Sequence, residues 1–418
     1  MVSCPPFLEP RLRLFLSADI IGSTSLKQIR ARSASTDEDS KKGPAWFSAI
    51  QGFYFESTQA FLNEWSIRKS HSDHADQLYG DEPTFWKSIG DEVLFSKVLT
   101  DHRQVTTTLR CWFRAIDRIR AFLKEENASL DVKCTAWVAG FPYRNREVVI
   151  GRHKETVTTQ VENYYKESGR LLNLIYDNKS FDSLSVDYIG PSIDTGFRLS
   201  SFSSGKKMIL SIDVAYLISM TSFDGEIERI DINYDGSHSL KGVMGGAPYP
   251  IFWINMSSKQ SLAMKEDKLR AQTTVSREDI KEYCDAFYEE YDSFIFRPFI
   301  NKDIGRTMAK MPVWYEEYHS ALVKNFNLPD NEYTFGGEEP IQDGETDQVD
   351  DQELQDFVSN IPAAPKSGGE PSFQKGDIVT HKQFGRGKIF EIDGYKIEVD
   401  FDDNRRKRVY HTFLRKIT

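Results

Sequence analysis

Leu12, Leu14 and Leu16 alternate with Arg11, Arg13 and Phe15, and the strand this pattern predicts runs into Asp19 and then at once into Gly22-Ser23-Thr24. A carboxylate at the end of an apolar strand, directly before a helix start with bare backbone amides, narrows what the segment can be for. From Leu12 to about residue 255 strand and helix signals go on alternating, which predicts an α/β (α+β) domain with a sheet covered by helices. Ala31 to Pro44 is polar and punctuated by Gly and Pro, the pattern of an exposed loop. After it Phe47, Ile50, Tyr54, Thr58, Phe61 and Trp65 recur at helical spacing. Phe85 to Leu99 reads as two short strands folded about Gly90-Asp91, which puts Asp91 at a hairpin tip. "VTTTLRCWFRAIDRIRAFL" predicts a second amphipathic helix, "DVKCTAWVAGFP" a strand, "MILSIDVAYLI" a strand and helix, and Leu240 to Asn255 a glycine-rich turn and last strand.

Two or three domains fit in 418 residues, and a 39% hydrophobic, 13% aromatic chain has ample material for a core. A net charge of −10 argues against coating nucleic acid or an anionic membrane, so any anionic ligand needs a local site. Cys4, Cys111, Cys134 and Cys284 are scattered with no Cys-x-x-Cys, the pattern of buried thiols in a reducing compartment. The start "MVSCPPFLEPR" lacks a basic segment and apolar core, and no apolar run approaches the ~18 residues of a membrane span, so the expected location is cytoplasmic.

Asp19 and Asp91 form a candidate pair of hard oxygen ligands for Mg²⁺ or Mn²⁺. The amides around Ile21 to Thr24, with Gly22, Ser23 and Thr24, make a candidate phosphate cradle. Standing alone, a strand-end Asp before a helix is more often a cap.

The surrounding residues resemble the class III nucleotidyl cyclases. "ADIIGSTSL" matches the family's first motif, and "KSIGDEVLF" from Lys87 matches its Lys-x-x-Gly-Asp. "DYIGPSIDTGFRL" from Asp187 matches the third, except that Asp194 stands where the family has asparagine, and "LKG" at Lys241 resembles the lysine loop that touches the triphosphate. The four lie in family order over roughly the first 255 residues. The resemblance implies a ferredoxin-like domain acting as a head-to-tail homodimer with sites across the interface. One subunit would give Asp19, the Ile20 carbonyl and Asp91 to two metals (Mn²⁺ or Mg²⁺), and its partner Lys87, Asp187, Arg198 and Lys241. The implied reaction is attack of the ribose 3′-hydroxyl on the α-phosphate of a nucleoside triphosphate, releasing pyrophosphate, with Arg198 stabilising the transition state.

In adenylate-making relatives the Lys and Asp of these motifs read the base edge, a donor beside an acceptor. That polarity, kept by Lys87 and Asp187, fits adenine, cytosine and uracil alike. A pyrimidine leaves space for a bulky side chain to fill, and the Phe53-Tyr54-Phe55 run supplies a candidate in Tyr54, which also lies on the apolar stripe of its helix. The polar insertion, the aromatic run and Asp194, with a cyclase domain at the N-terminus and a C-terminal appendage, look like the pyrimidine cyclases of bacterial antiphage defence (Pycsar). This implies cyclic UMP, or alternatively cyclic CMP or cyclic AMP, as a signal to a separate effector.

Four segments are expected: a cyclase domain at 1–258, a helical extension at 259–328, an acidic disordered linker at 329–370 and a small antiparallel barrel at 371–418. Within the extension Ser276 and Asp279 have capping-box spacing and predict helix over about 276 to 324. The last part resembles the Tudor-like barrel of some bacterial DNA helicases, which suggests a phage-derived or nucleic-acid trigger, and "NRRKR" (Asn404 to Arg408) is a candidate phosphate contact. Two other classes compete. A carboxylate at Asp194 repels a triphosphate unless protonated, paired or turned aside, as in an inactive nucleotide-binding sensor. An adaptor working through barrel and linker would leave the upper two-thirds of the chain superfluous.

Overall fold

The computed structural model describes residues 4–28, 45–151, 164–177, 184–222, 225–257, 275–301, 303, 307–308, 311–327, 373–381, 385–393, 396–401, 406–410 and 414–416. The loop expected at Ala31 to Pro44 and the linker expected at 329–370 lie outside these residues. Residues 1–334 and 335–418 form two compact units.

In chain order the first unit contains β1 (Arg11–Ile21), α1 (Ser23–Gln28), α2 (Ala45–Ser70), α3 (Ala75–Leu78), β2 (Thr84–Ile89), β3 (Glu92–Leu99), α4 (Gln104–Glu126), β4 (Asp131–Phe141), β5 (Arg146–Gly151), α5 (Tyr164–Tyr176), β6 (Leu184–Ile189), α6 (Pro191–Leu199), β7 (Lys207–Leu210), α7 (Ile212–Ser219), β8 (Asn233–Ser239), β9 (Pro248–Asn255), α8 (Arg277–Glu290) and α9 (Val313–Phe326). Seven strands form one sheet in the order β2-β3-β1-β4-β7-β9-β8. β1 lies antiparallel to β3 and β4, while β4 and β7 are parallel. A parallel pair needs a long crossover, here the stretch that carries β5, α5, β6 and α6. The protein is thus a mixed α/β fold with a large sheet.

The period-two pattern of β1 sorts its two faces. Leu12, Leu14, Leu16, Ala18 and Ile20 enter the main core with α2, α4 and α7, whereas Phe15 joins Trp137, Tyr188 and Ile193 on the other face. Asp19 continues the Phe15 face, on which α6 packs against Trp137. There Gly196 is required, because a Cβ would stand 2.2 Å from the Trp137 ring.

The apolar stripe of α2 is largely the expected one, with Phe61 and Trp65 buried and Ile50 and Tyr54 packed against the core. Phe47 is 50% exposed and Tyr54 only half-buried, while Ala49, Phe53, Ala60, Phe61 and Trp65 face the core. The helix approaches α4 closely, since a Cβ at Gly52 would lie 2.3 Å from Phe122. The helical segment expected over about 276 to 324 contains two helices, α8 and α9. The Ser276 cap is present, its Oγ accepting from the Asp279 amide at 3.0 Å. Between α8 and α9, Pro298 and Pro312 lack the amide that helix continuation needs, and Pro312 becomes the residue before α9. Ile280, Cys284, Phe287 and Tyr288 of α8 join the main core.

The second unit contains β10 (Ile378–His381), β11 (Gly385–Asp393), β12 (Lys396–Phe401), β13 (Arg406–Tyr410) and β14 (Leu414–Lys416) in one antiparallel sheet ordered β13-β12-β11-β10-β14. Val379, Ile389, Ile397, Val399 and Phe401 form its core. The basic run falls on β13 opposite acidic β12, with Arg406 bound to both oxygens of Asp400 at 2.6 and 2.9 Å and Arg408 across from Glu398.

Candidate active site

Asp19 sits near the C-terminal end of β1, paired across the sheet with Glu92 of β3 and Lys133 of β4. The strand runs two residues past it, to Ile21. The β2–β3 hairpin turns at Gly90, whose φ of +65° suits the tip, and Asp91 follows. The Ile20 amide donates to the Asp91 carbonyl at 3.3 Å, which ties the hairpin to the end of β1. The two aspartates expected from sequence to meet are therefore neighbours, and the charge of Asp91 is felt at Asp19.

Partial burial raises the Asp19 pKa, and Asp91 adds to the rise, while the bond and charge of Lys133 pull it down. Burial likewise raises the Glu92 pKa, helped by Asp19 and opposed by a bond from Ser17. The Lys133 Nζ stands 3.0 Å from Asp19 Oδ2, and the Lys27 Nζ 3.5 Å from Asp91 Oδ1. Ser23, buried at the start of α1, donates its hydroxyl to Asp91 Oδ2. Gly22 has a φ of +89° as the chain turns into that helix, and Thr24 is exposed. Two hard carboxylates, with Glu92 beside them, now held by ammonium groups, suit a divalent cation.

Tyr54 reaches the same corner from α2, its hydroxyl donating to the Gly90 carbonyl. Phe53 is fully buried and Phe55 is 63% exposed.

Lys87 on β2 and Asp187 on β6 meet, with Nζ 2.8 Å from Oδ1 and 3.0 Å from Oδ2. Oδ1 also accepts from the Trp86 indole and the Tyr188 amide, both at 2.9 Å. Burial works to raise the Asp187 pKa, but the Lys87 bond, the Tyr188 amide, the Lys87 charge and the Trp86 indole together bring it below the ordinary value. Oδ2 has Lys87 as its one hydrogen-bond partner among the described residues and is the oxygen available to a ligand. Trp86 lies under the Lys87 ammonium at 4.3 Å and packs on Tyr188 and Phe197.

Asp194 and Arg198 are exposed on α6, without an ion pair among the described residues, and Lys241 is exposed before the Gly242 turn. Sequence reading missed Lys133, Glu92 and Trp86. Lys133 and Glu92 could have been found by aligning β4 and β3 against β1; Trp86, adjacent to Lys87, gave no signal of its own.

Among the described residues the group with three donor atoms within 4.8 Å of one another is a different one, Asp101, His102 and Asp303. It follows the end of β3, whereas Asp91 precedes its start. Arg103 occupies both oxygens of Asp101 at 2.9 and 2.6 Å, and Asp303 accepts the His102 and Met308 amides, so this group ties α4 to the segment after α8.

No protein-family model matches the sequence, and no curated protein matches it. Solved structures that resemble it are cyclase domains. The adenylyl cyclase CyaB from P. aeruginosa is 13% identical over 61% of this chain and 98% of that chain, with a TM-score of 0.37. The guanylyl cyclase Cya2 is 11% identical over 61% and 96%, at 0.35. The guanylate cyclase domain of RhGC from Catenaria anguillulae, in complex with GTP, is 12% identical over 59% and 97%, at 0.35. Among the described residues no helix is long and apolar enough to cross a membrane.

Proposed function

We propose that this chain is a metal-dependent nucleotidyl cyclase that converts a pyrimidine ribonucleoside triphosphate, UTP by preference, to its 3′,5′-cyclic monophosphate and diphosphate. The observation that carries this reading is the meeting of Asp19 and Asp91 at one corner of the sheet, through the bond from the Ile20 amide to the Asp91 carbonyl. Asp19, Asp91 and the Ile20 carbonyl are the groups that would hold Mn²⁺ or Mg²⁺. Such ions, when bound, lower the pKa of the ribose 3′-hydroxyl and neutralise phosphoryl charge.

The remaining work falls to the chain. The Gly22-Ser23-Thr24 turn offers amides and hydroxyls to phosphate oxygens, and Ser23 and Tyr54 fix the hairpin that carries Asp91. In a head-to-tail homodimer the partner's copies of Lys87 and Asp187 read the base, and its Arg198 and Lys241 meet the charge of the triphosphate. Asp194, exposed on the same helix as Arg198, has room to turn away from that charge.

Lys87 donates and Asp187 Oδ2 accepts, the polarity that uracil, cytosine and adenine edges share. Trp86 walls the pair, donating to Asp187 Oδ1 and lying under the Lys87 ammonium, and the smaller base is proposed on the sequence resemblance. The biological setting proposed is a second-messenger alarm in antiphage defence, with the 371–418 module as trigger sensor and a separate protein as effector.

Incubating the pure protein with Mn²⁺ and each of the four ribonucleoside triphosphates tests the chemistry. Cyclic UMP is the expected main product. No cyclic product from any of the four overturns the cyclase reading, and cyclic AMP as the main product overturns the pyrimidine assignment. Deleting 371–418 is expected to leave basal cyclisation and remove the response to phage; unchanged protection overturns the sensor role.

A further inference from the structure

Trp86 and Lys87 are neighbours on β2, and neighbours on a regular strand face opposite sides of the sheet. Both nevertheless reach Asp187: the Trp86 indole N–H donates to Oδ1 at 2.9 Å, and the Lys87 Nζ stands 2.8 Å from the same oxygen. A β-bulge makes this possible. The register between β2 and β3 passes from Phe85 opposite Phe95 directly to Lys87 opposite Leu94, so Trp86 is the extra residue, and a bulge of this kind re-aims the side chains beside it.

The indole is itself held. Its ring packs edge-on against Phe15 and Tyr188, with centroids 5.2 and 5.0 Å apart, and tilts against Phe197 at 6.2 Å. Phe15 and Tyr188 are buried, and Phe197 precedes Arg198 on α6. The Lys87 ammonium lies 4.3 Å from the centroid of the same indole. One rigid side chain thus grips both members of the pair, the carboxylate by its N–H edge and the ammonium by its ring face. Together with the Tyr188 amide, which also donates to Oδ1 at 2.9 Å, the indole fixes the rotation of the carboxylate and leaves Oδ2 bonded to Lys87 alone among the described residues.

The geometry points to Trp86 as the positioning residue of the base-reading pair, its N–H setting the Asp187 carboxylate and its ring setting the Lys87 ammonium before a nucleobase binds. What the pair reads rests on the cyclase reading above; how the indole holds the pair does not. Without the N–H the carboxylate is free to turn and must be ordered by each incoming base, so the loss falls on binding of the base and not on binding of the phosphates.

Calorimetric titration of the full chain in Mn²⁺ tests this with two kinds of probe: the four 3′-deoxynucleoside triphosphates, which lack the attacking hydroxyl, and tripolyphosphate, which lacks a base. Trp86→Phe keeps a ring under the ammonium and removes the N–H. Affinity for the nucleotide that wild type binds most tightly is expected to fall about tenfold, as loss of a hydrogen bond to a charged group demands, with tripolyphosphate affinity kept within about twofold. Equal nucleotide affinity in wild type and variant overturns the inference and leaves the cyclase reading standing. An equal fall for both probes makes Trp86 a structural residue and overturns the inference likewise. Binding of no nucleotide by wild type overturns the base-reading role together with the function it rests on. Should Trp86→Phe fail to fold, 3-benzothienylalanine at position 86, with sulfur in place of the N–H and both rings kept, carries the same comparison with the same outcomes.

Discussion

Replacing Asp213 by asparagine should abolish a specific loss of stability with rising pH. The carboxyl lies in the first turn of α7, buried, and accepts the Tyr288 hydroxyl at 2.7 Å. Its folded pKa is about 7 against an ordinary value of 3.8. The shift of roughly 3 units corresponds to about 4 kcal/mol at about 1.4 kcal/mol per unit. The sign follows from proton binding. Below about pH 4 both folded and unfolded states hold the proton; above it the unfolded chain releases it while the folded protein keeps it, so wild-type stability declines until about pH 7 and then levels. The asparagine amide would keep an oxygen acceptor for the Tyr288 hydroxyl and has no proton to lose. The groups facing Asp213 do not interfere over this range, because burial lifts the pKa values of Tyr249, Tyr288 and Cys284 further up, and Arg144 stays charged. Urea unfolding followed by far-ultraviolet dichroism, at steps from about pH 4 to about pH 8, gives the difference between the two proteins. Asp213→Asn should gain up to about 4 kcal/mol on wild type across that window. Parallel profiles, differing by a constant, refute the reasoning.

Asp91→Asn should lower cyclic nucleotide formation by roughly a thousandfold while shifting unfolding by under about 1 kcal/mol, since it removes a ligand charge at a hairpin tip and little buried surface; product assay and denaturation together check it. Tyr54→Phe deletes the bond that steadies Gly90, worth about 1 kcal/mol, and should raise the Mn²⁺ concentration needed for half-maximal rate about fivefold with kcat nearly kept. Gly196→Ala forces a methyl into the Trp137 ring and should cost about 1–3 kcal/mol by urea unfolding.

What sequence reading could reach depended on the range of the interaction. The alternation in β1 and the Gly90-Asp91 tip are local, and both appear where the residue pattern put them. Family motifs suggest only that Lys87 and Asp187 face one base; their direct pairing cannot be read from the sequence, because β2 and β6 lie far apart in the chain. The close approach of α2 to α4 at Gly52 and Phe122 is a contact that no periodicity encodes. Lys133 belongs to the same kind: its nearness to Asp19 follows from the pairing of β1 with β4, which more than a hundred residues separate in the chain.

The Lys87–Asp187 pair also has a bearing on selectivity. On the function proposed above, each side chain satisfies the other before a nucleobase arrives, so recognition would be an exchange of partners. A newcomer that offers an acceptor without a donor, or the reverse, strands one half of the broken pair. A site used in this way would reject a mismatch through what it forfeits.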